Sequence, residues 1–288
     1  MITRRTIIQI FIAAALSCYP LFSQMLHLPE RESTAPTGSQ FYRIITPLSR
    51  EAREDSIFFQ ITHGNIPHFL CTLDTVRSSG IINGTTYMLE YYVTADYVSV
   101  GCDSDYFLMP MTPILAQRIA NFLECTLPTA MMVDQIYRAA QLKLPPQPIP
   151  PDAEMITAAR FWQHNDSVRT LRGPMADQFP LGSLVGGTKK DVIIDPKIYS
   201  SLKSRVPHPV VIYGWHRLDG NPIQPVYNGH GETYADYSHG IRLISRHAKI
   251  NGADVSLIDI LEDSVYFQLI SDVPIEQPFY RIYRLTKD

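Results

Sequence analysis

Five of the nine histidines, His208, His216, His230, His239 and His247, fall within residues 208–247, together with Glu232, Tyr234, Asp236, Tyr237 and Ser238. Imidazole and carboxylate are the two groups that hold a catalytic zinc ion or transfer protons near neutral pH. Two histidines and one aspartate meeting at a point would suffice for hydrolysis. His216, His230, Asp236 and His239 are therefore the candidate catalytic set. Lys190 or Arg242 would hold an anionic substrate group. Asp191, Tyr213, Tyr234 and Tyr237 complete the candidate substrate-binding residues.

Strand alternation constrains this set. In a flat strand Tyr234, Asp236 and Ser238 share one face while Ala235, Tyr237 and His239 take the other, so Asp236 and His239 meet only if the chain bends. Gly240 could supply that bend. On a strand over 209–216, His216 shares a face with Val210 and Ile212, while Tyr213 and Trp215 point the other way.

In residue type and order, His230, Asp236 and His239 resemble the LAS group of zinc peptidases, which cut peptidoglycan cross-links with a His and an Asp from one motif and a His from a later one. Here five residues separate the first His from the Asp, and no later His-x-His follows. The resemblance implies a zinc cofactor as a question to be tested. Cys125 supports a second arrangement, because it precedes a helix expected from about Thr129. Papain-like and NlpC-like peptidases place a nucleophilic Cys at a helix N-terminus, where the dipole favours thiolate. Buried packing of Cys125 is the alternative. The segments Ile212-Tyr-Gly-Trp-His216 and Tyr234-Ala-Asp-Tyr-Ser-His-Gly-Ile-Arg-Leu243 resemble an uncharacterised family of exported bacterial proteins, which implies one common domain across the body and no particular activity.

The elements that must position these residues alternate between the two periods. Apolar runs from Ile57 to Ile61, Tyr87 to Val93 and Tyr97 to Val100, broken by Gly64-Asn65 and Asn83-Gly84, predict strands. Thr112 with Pro113 starts one helix and Thr129 another, each with an apolar stripe. Residues 144–151 carry five prolines, which stop the second helix and form a rigid connection within one fold. Helix is expected again over Ala153 to Trp162. Strands follow over Asp191 to Ile194, Pro209 to His216, Thr233 to Ile244 and Arg246 to Ile250, with Asp219-Gly220 and Asn251-Gly252 at turn positions. Leu257 to Ile270 reads as helix. The fold class is α+β, with a mainly antiparallel sheet and several flanking helices.

Residues 1–23 read as a secretory leader: Arg4 and Arg5 precede an apolar core from Ile7 to Leu16, too short for the ~20 residues of a spanning helix. The expected location is periplasmic or extracellular, with lipidation at Cys18 as the alternative and the only route to a membrane. Residues 24–55 read as a loosely ordered arm ending in a short amphipathic helix near Ser49 to Arg53, and 56–288 as a single domain. The 288 residues carry 25 Lys+Arg against 28 Asp+Glu, so phosphate neutralisation has no compositional support and nucleic acid is set aside. Cys71, Cys102 and Cys125 lack the spacing of a disulfide framework or a cysteine zinc site. The leading expectation is an exported hydrolase acting on a cell-envelope polymer, a cell-wall glycan or peptide, through a His/Asp site. Its rival is a non-catalytic carbohydrate-binding or envelope-scaffolding protein in which tyrosines carry binding. Convergence of His216, His230 and His239 with a carboxylate in a cleft would favour catalysis, whereas histidines lying apart and tyrosines lining an open groove would favour binding.

Overall fold

The computed structural model describes residues 24–199 and 208–282. Residues 1–23, where the leader and Cys18 lipidation are expected, lie outside them. Two sheets dominate an α+β architecture. The first is antiparallel, in the order Leu73–Ile82, Thr85–Thr94, Ile244–Ile250, Ala253–Ser256, with Cys125–Thr126 also pairing Ile244–Ile250. Its two hairpins close on Asn83-Gly84 and Asn251-Gly252. Both residues of each turn have positive φ, the backbone that a two-residue turn matched to strand twist requires. The second sheet runs Pro222–Tyr227, Ile212–His216, Lys190–Val192, His239–Gly240, antiparallel except for the last, parallel pair. Among the described residues no helix is long and apolar enough to cross a membrane.

Both expected helices form, over Pro113–Phe122 and Ala130–Ala139. Thr112 and Thr129 cap them by accepting from Leu115 and Met132 backbone N–H groups. The proline-rich stretch is built into the body, because the Tyr237 hydroxyl donates to the Ile149 carbonyl and accepts from the Ile149 N–H.

Several expectations are corrected. Residues 24–55 are not a loose arm: Gly38–Ile45 is a helix with Phe41 and Ile45 fully buried, and a second helix runs over Arg50–Thr62. The Ile57 to Ile61 run belongs to that second helix. Arg53, Ile57 and Ile61 recur every four residues on its buried side, and Ser49 caps it. Helix over Ala153 to Trp162 becomes a 3-10 turn, Ala153–Ile156, followed by Ala158–Arg172, which Thr157 caps. Only His239–Gly240 and the residues from Ile244 onward are strand in the Thr233 to Ile250 region. The last helix stops at Glu262, where Asp263 accepts from the backbone N–H groups of Val265 and Tyr266 and starts a new turn.

Candidate functional site

The Ala130–Ala139 helix has one acid, Asp134, and packs on the Ile212–His216 strand while Met132, Val133 and Ile136 enter the core. That contact assembles the site. Asp134 Oδ1 accepts from the Tyr213 hydroxyl at 2.9 Å and pairs with His216 Nε2 at 2.8 Å. Tyr137, one turn after Asp134, stacks its ring on the imidazole, centroids 4.5 Å apart. Two donors on one oxygen place an imidazole proton on Nε2, an assignment made from the hydrogen-bond network. Asp134 Oδ2 accepts no hydrogen bond among the described residues. The Asp134 side chain is 35% exposed and that of His216 4%, so the carboxylate is the member that meets solvent. It does so in a cleft of about 450 Å³ that Arg138, Lys143 and Asp219 also line. Burial, and then Asp134, raise the Tyr213 hydroxyl above its ordinary pKa, so it remains a donor.

Behind the imidazole lies a second layer. Asp191 is buried on the neighbouring strand, where its Oδ2 accepts from the Tyr97 hydroxyl at 2.9 Å and its Oδ1 lies 3.9 Å from Arg242 Nε. Burial pushes the Asp191 carboxyl up to about 6, against the lowering effect of Arg242. His216 and Tyr137 on one side and Asp191, Arg242 and Tyr97 on the other enclose a void of about 10 Å³, barely room for one water. A Cβ on Gly214 would lie 3.5 Å from His216 Nδ1 and 3.6 Å from Asp191 Oδ2, so the glycine keeps the space between them open.

The strand reaches this geometry through an irregular backbone. Gly214 has φ 104° and Trp215 φ 59°. For a bulky residue the left-handed region is a genuine outlier, and such strain clusters at functional sites. It also corrects the expected alternation. Tyr213 and His216 converge on the same Asp134 oxygen, while Trp215 turns away toward Lys190, His164 and Tyr237.

The four candidate catalytic residues separate into two places, so the convergence of His216, His230 and His239 on one carboxylate in a cleft, expected for catalysis by that set, does not occur. His230, Asp236 and His239 gather with Tyr234 and Lys190 at the edge of the second sheet, and His216 is with Asp134 instead. Residues 236–239 form a turn, with the His239 N–H donating to the Asp236 carbonyl. This brings Asp236 Oδ2 within 3.9 Å of His239 Nε2, despite the opposite faces that a flat strand would give them. The Ser238 N–H and hydroxyl both donate to Asp236 Oδ1, the Tyr234 hydroxyl donates to Oδ2, and the His230 ring stacks on Tyr234 at 3.9 Å. This cluster is closed to solvent at its centre. His239 is fully buried, neither ring nitrogen has a hydrogen-bond partner among the described residues, and burial pushes its imidazole down to about 4. Burial raises Asp236, but His239, Lys190 and the Ser238 donors outweigh it and hold the carboxyl below its ordinary value. A neutral, inaccessible imidazole is not placed to exchange protons with a substrate. Among the described residues no three His, Cys, Asp or Glu are grouped so that they could hold a metal ion.

The candidate substrate-binding residues are corrected in the same way. Arg242 is fully buried, donates to the Thr94 and Val185 carbonyls and lies over the Tyr97 ring at 4.3 Å. It holds Asp191 in place and cannot reach a substrate anion in the cleft. Lys190 lies over the Trp215 ring at 5.0 Å, and Tyr237 is a buried strut between Trp215 and Ile149. The cations that do line the cleft are Arg138 and Lys143. Sequence reasoning missed Asp134, Tyr137 and Tyr97. The detectable signal was a lone acid inside an otherwise apolar helical stripe, with Tyr137 three residues on along the same face.

Cys125 is not an activated nucleophile. It is buried, its thiol donates to the Leu123 carbonyl, and burial pushes its pKa up to about 12. Cys71, Cys102 and Cys125 are all free. We expect iodoacetamide at pH 8 to leave Cys125 unmodified in the folded chain and to label it after denaturation, with peptide mass spectrometry as the readout. Labelling of Cys125 ahead of Cys71 and Cys102 would restore it as a candidate.

Comparison of the chain with protein-family models, with curated proteins and with solved structures gives no match.

Proposed function

We propose that the protein is a hydrolase of a cell-envelope polymer and that Asp134, backed by His216, is its acid–base group. One observation carries this reading: Asp134 lines an open cleft, with one oxygen held by Tyr213 and His216 and the other accepting no hydrogen bond among the described residues. In hydrolysis the attacking water gives its proton to Asp134 Oδ2 and its hydroxyl to one fragment. The same carboxyl then returns that proton to the leaving oxygen or nitrogen of the other fragment. His216 and Tyr213 hold the carboxylate in one rotamer through both transfers. The imidazole pairs with Asp134 and shares its small inner void with Asp191. Arg138, Lys143 and Asp219 give the cleft both signs of charge, which suits a polymer bearing carboxylates and amines, as peptidoglycan does. The leader-like start of the sequence supports the cell envelope as the place of action.

The test is incubation of the purified chain with purified cell-wall material, following release of soluble reducing ends and free amino groups. Release that exceeds the no-enzyme control and disappears in Asp134→Asn is expected. No release of either kind at any pH from 5 to 9 would overturn the reading.

A further inference from the structure

A groove of about 1040 Å³, larger than the Asp134 cleft, lies on the first sheet, lined by the Ile244–Ile250 and Ala253–Ser256 strands, the Leu257–Glu262 helix and the chain at residues 24–27. That volume is at or just above the upper end of the ~300–1,000 Å³ of small-molecule sites.

Its walls carry specific chemistry. Tyr87 and Tyr266 meet edge to face, centroids 5.3 Å apart, and form an aromatic corner in the groove. His247 stacks parallel to Tyr92 at 5.7 Å and reaches Asp254 Oδ1 at 3.3 Å, so the ring is held in one orientation. Asp259 adds a solvent-exposed carboxylate. Glu124, at the groove edge, has φ 54°, an unusual backbone for a side chain of this size.

These features select among ligand classes. Four carboxylates, on Glu124, Asp254, Asp259 and Asp263, line the groove against the Arg246 guanidinium, with Lys249 Nζ 3.9 Å from Asp254 Oδ1, so an anionic ligand meets net repulsion. The polar lining excludes a purely apolar one. A sugar hydroxyl both donates and accepts, matching carboxylate acceptors and an imidazole side by side. The apolar faces of a pyranose ring match an aromatic corner.

We infer that this groove is a second binding site, separate from the Asp134 cleft, that takes a neutral oligosaccharide. The inference does not rest on the hydrolase reading, because it concerns binding alone.

Calorimetric titration of the full chain with the tetramer of N-acetylglucosamine, and with cellotetraose, tests it. At least one is expected to bind, with Kd raised tenfold or more in Tyr266→Ala and in Asp254→Ala and unchanged in Asp134→Asn. Two variants on different walls guard against local misfolding of either, and each is checked by its denaturation midpoint. Failure of both tetrasaccharides to bind at millimolar concentration would overturn the inference. So would binding that neither groove variant weakens, or binding that Asp134→Asn abolishes. A peptide that binds the groove where both glycans fail would assign it to a different partner class and equally overturn it.

Discussion

Replacing Asp134 by Asn is expected to lower the rate of polymer hydrolysis by about 10²–10⁴-fold, the usual worth of a positioned acid–base group. Asparagine keeps an acceptor for Tyr213 and His216 at Oδ1 but cannot take the proton from water. The side chain is partly exposed, so the denaturation midpoint should move little, which separates a chemical loss from a folding loss. Relocating the activity to His239 predicts the opposite pattern, with Asp134→Asn near wild type and His239→Gln inactive. The burial of His239, with neither nitrogen hydrogen-bonded among the described residues, argues against that pattern.

The second large effect concerns stability against pH, where two buried groups act in opposite directions. His239 is pushed by burial from its ordinary 6.5 to about 4. Between those values the unfolded chain holds a proton that the folded chain does not. Stability from this group therefore falls as pH drops through the window, by about 3 kcal/mol. Asp191 is pushed by burial from 3.8 to about 6, so between pH 4 and 6 the folded chain holds a proton that the unfolded chain has lost. Stability from Asp191 falls as pH rises through that range, again by about 3 kcal/mol. In the wild type these two contributions oppose one another, alongside His164, which burial lowers, and Asp74, which burial raises to about 6, so the variants are read relative to wild type. His239→Gln should expose the Asp191 slope and gain stability toward pH 4 relative to wild type. Asp191→Asn should expose the His239 slope and lose it. Urea denaturation at pH 4.5 and 6.5 reads both. Slopes indistinguishable from wild type in the two variants would mean that neither group titrates in its buried form.

Much of the fold was legible because its signals are local. Asn-Gly pairs closed both hairpins, Thr-Pro and Thr caps began both middle helices, and alternation and helical spacing gave the α+β class. What failed was the period of short apolar runs: Ile57 to Ile61 reads as strand or helix until Arg53 and the Ser49 cap are counted with it. The candidate site was half legible. The histidine-rich segment does hold His216, Tyr213 and, at the strand edge, the His239 cluster. Strand alternation could not foresee that positive φ at Gly214 and Trp215 would turn His216 toward Asp134, eighty-two residues away in sequence. Nor could it foresee that Asp236 would fold back on His239 in a turn. Both are tertiary choices, made by a strained backbone and by side-chain caps that composition does not encode.

The central claim is that His216 acts through Asp134. A double-mutant cycle of Asp134→Asn and His216→Gln, read as kcat/KM on cell-wall material, tests it most directly. If the claim holds, His216→Gln costs activity in the wild-type background but adds less than about a factor of three once Asp134 is Asn. If instead the two losses multiply, the residues work independently, and the pairing at the floor of the cleft is not the catalytic unit.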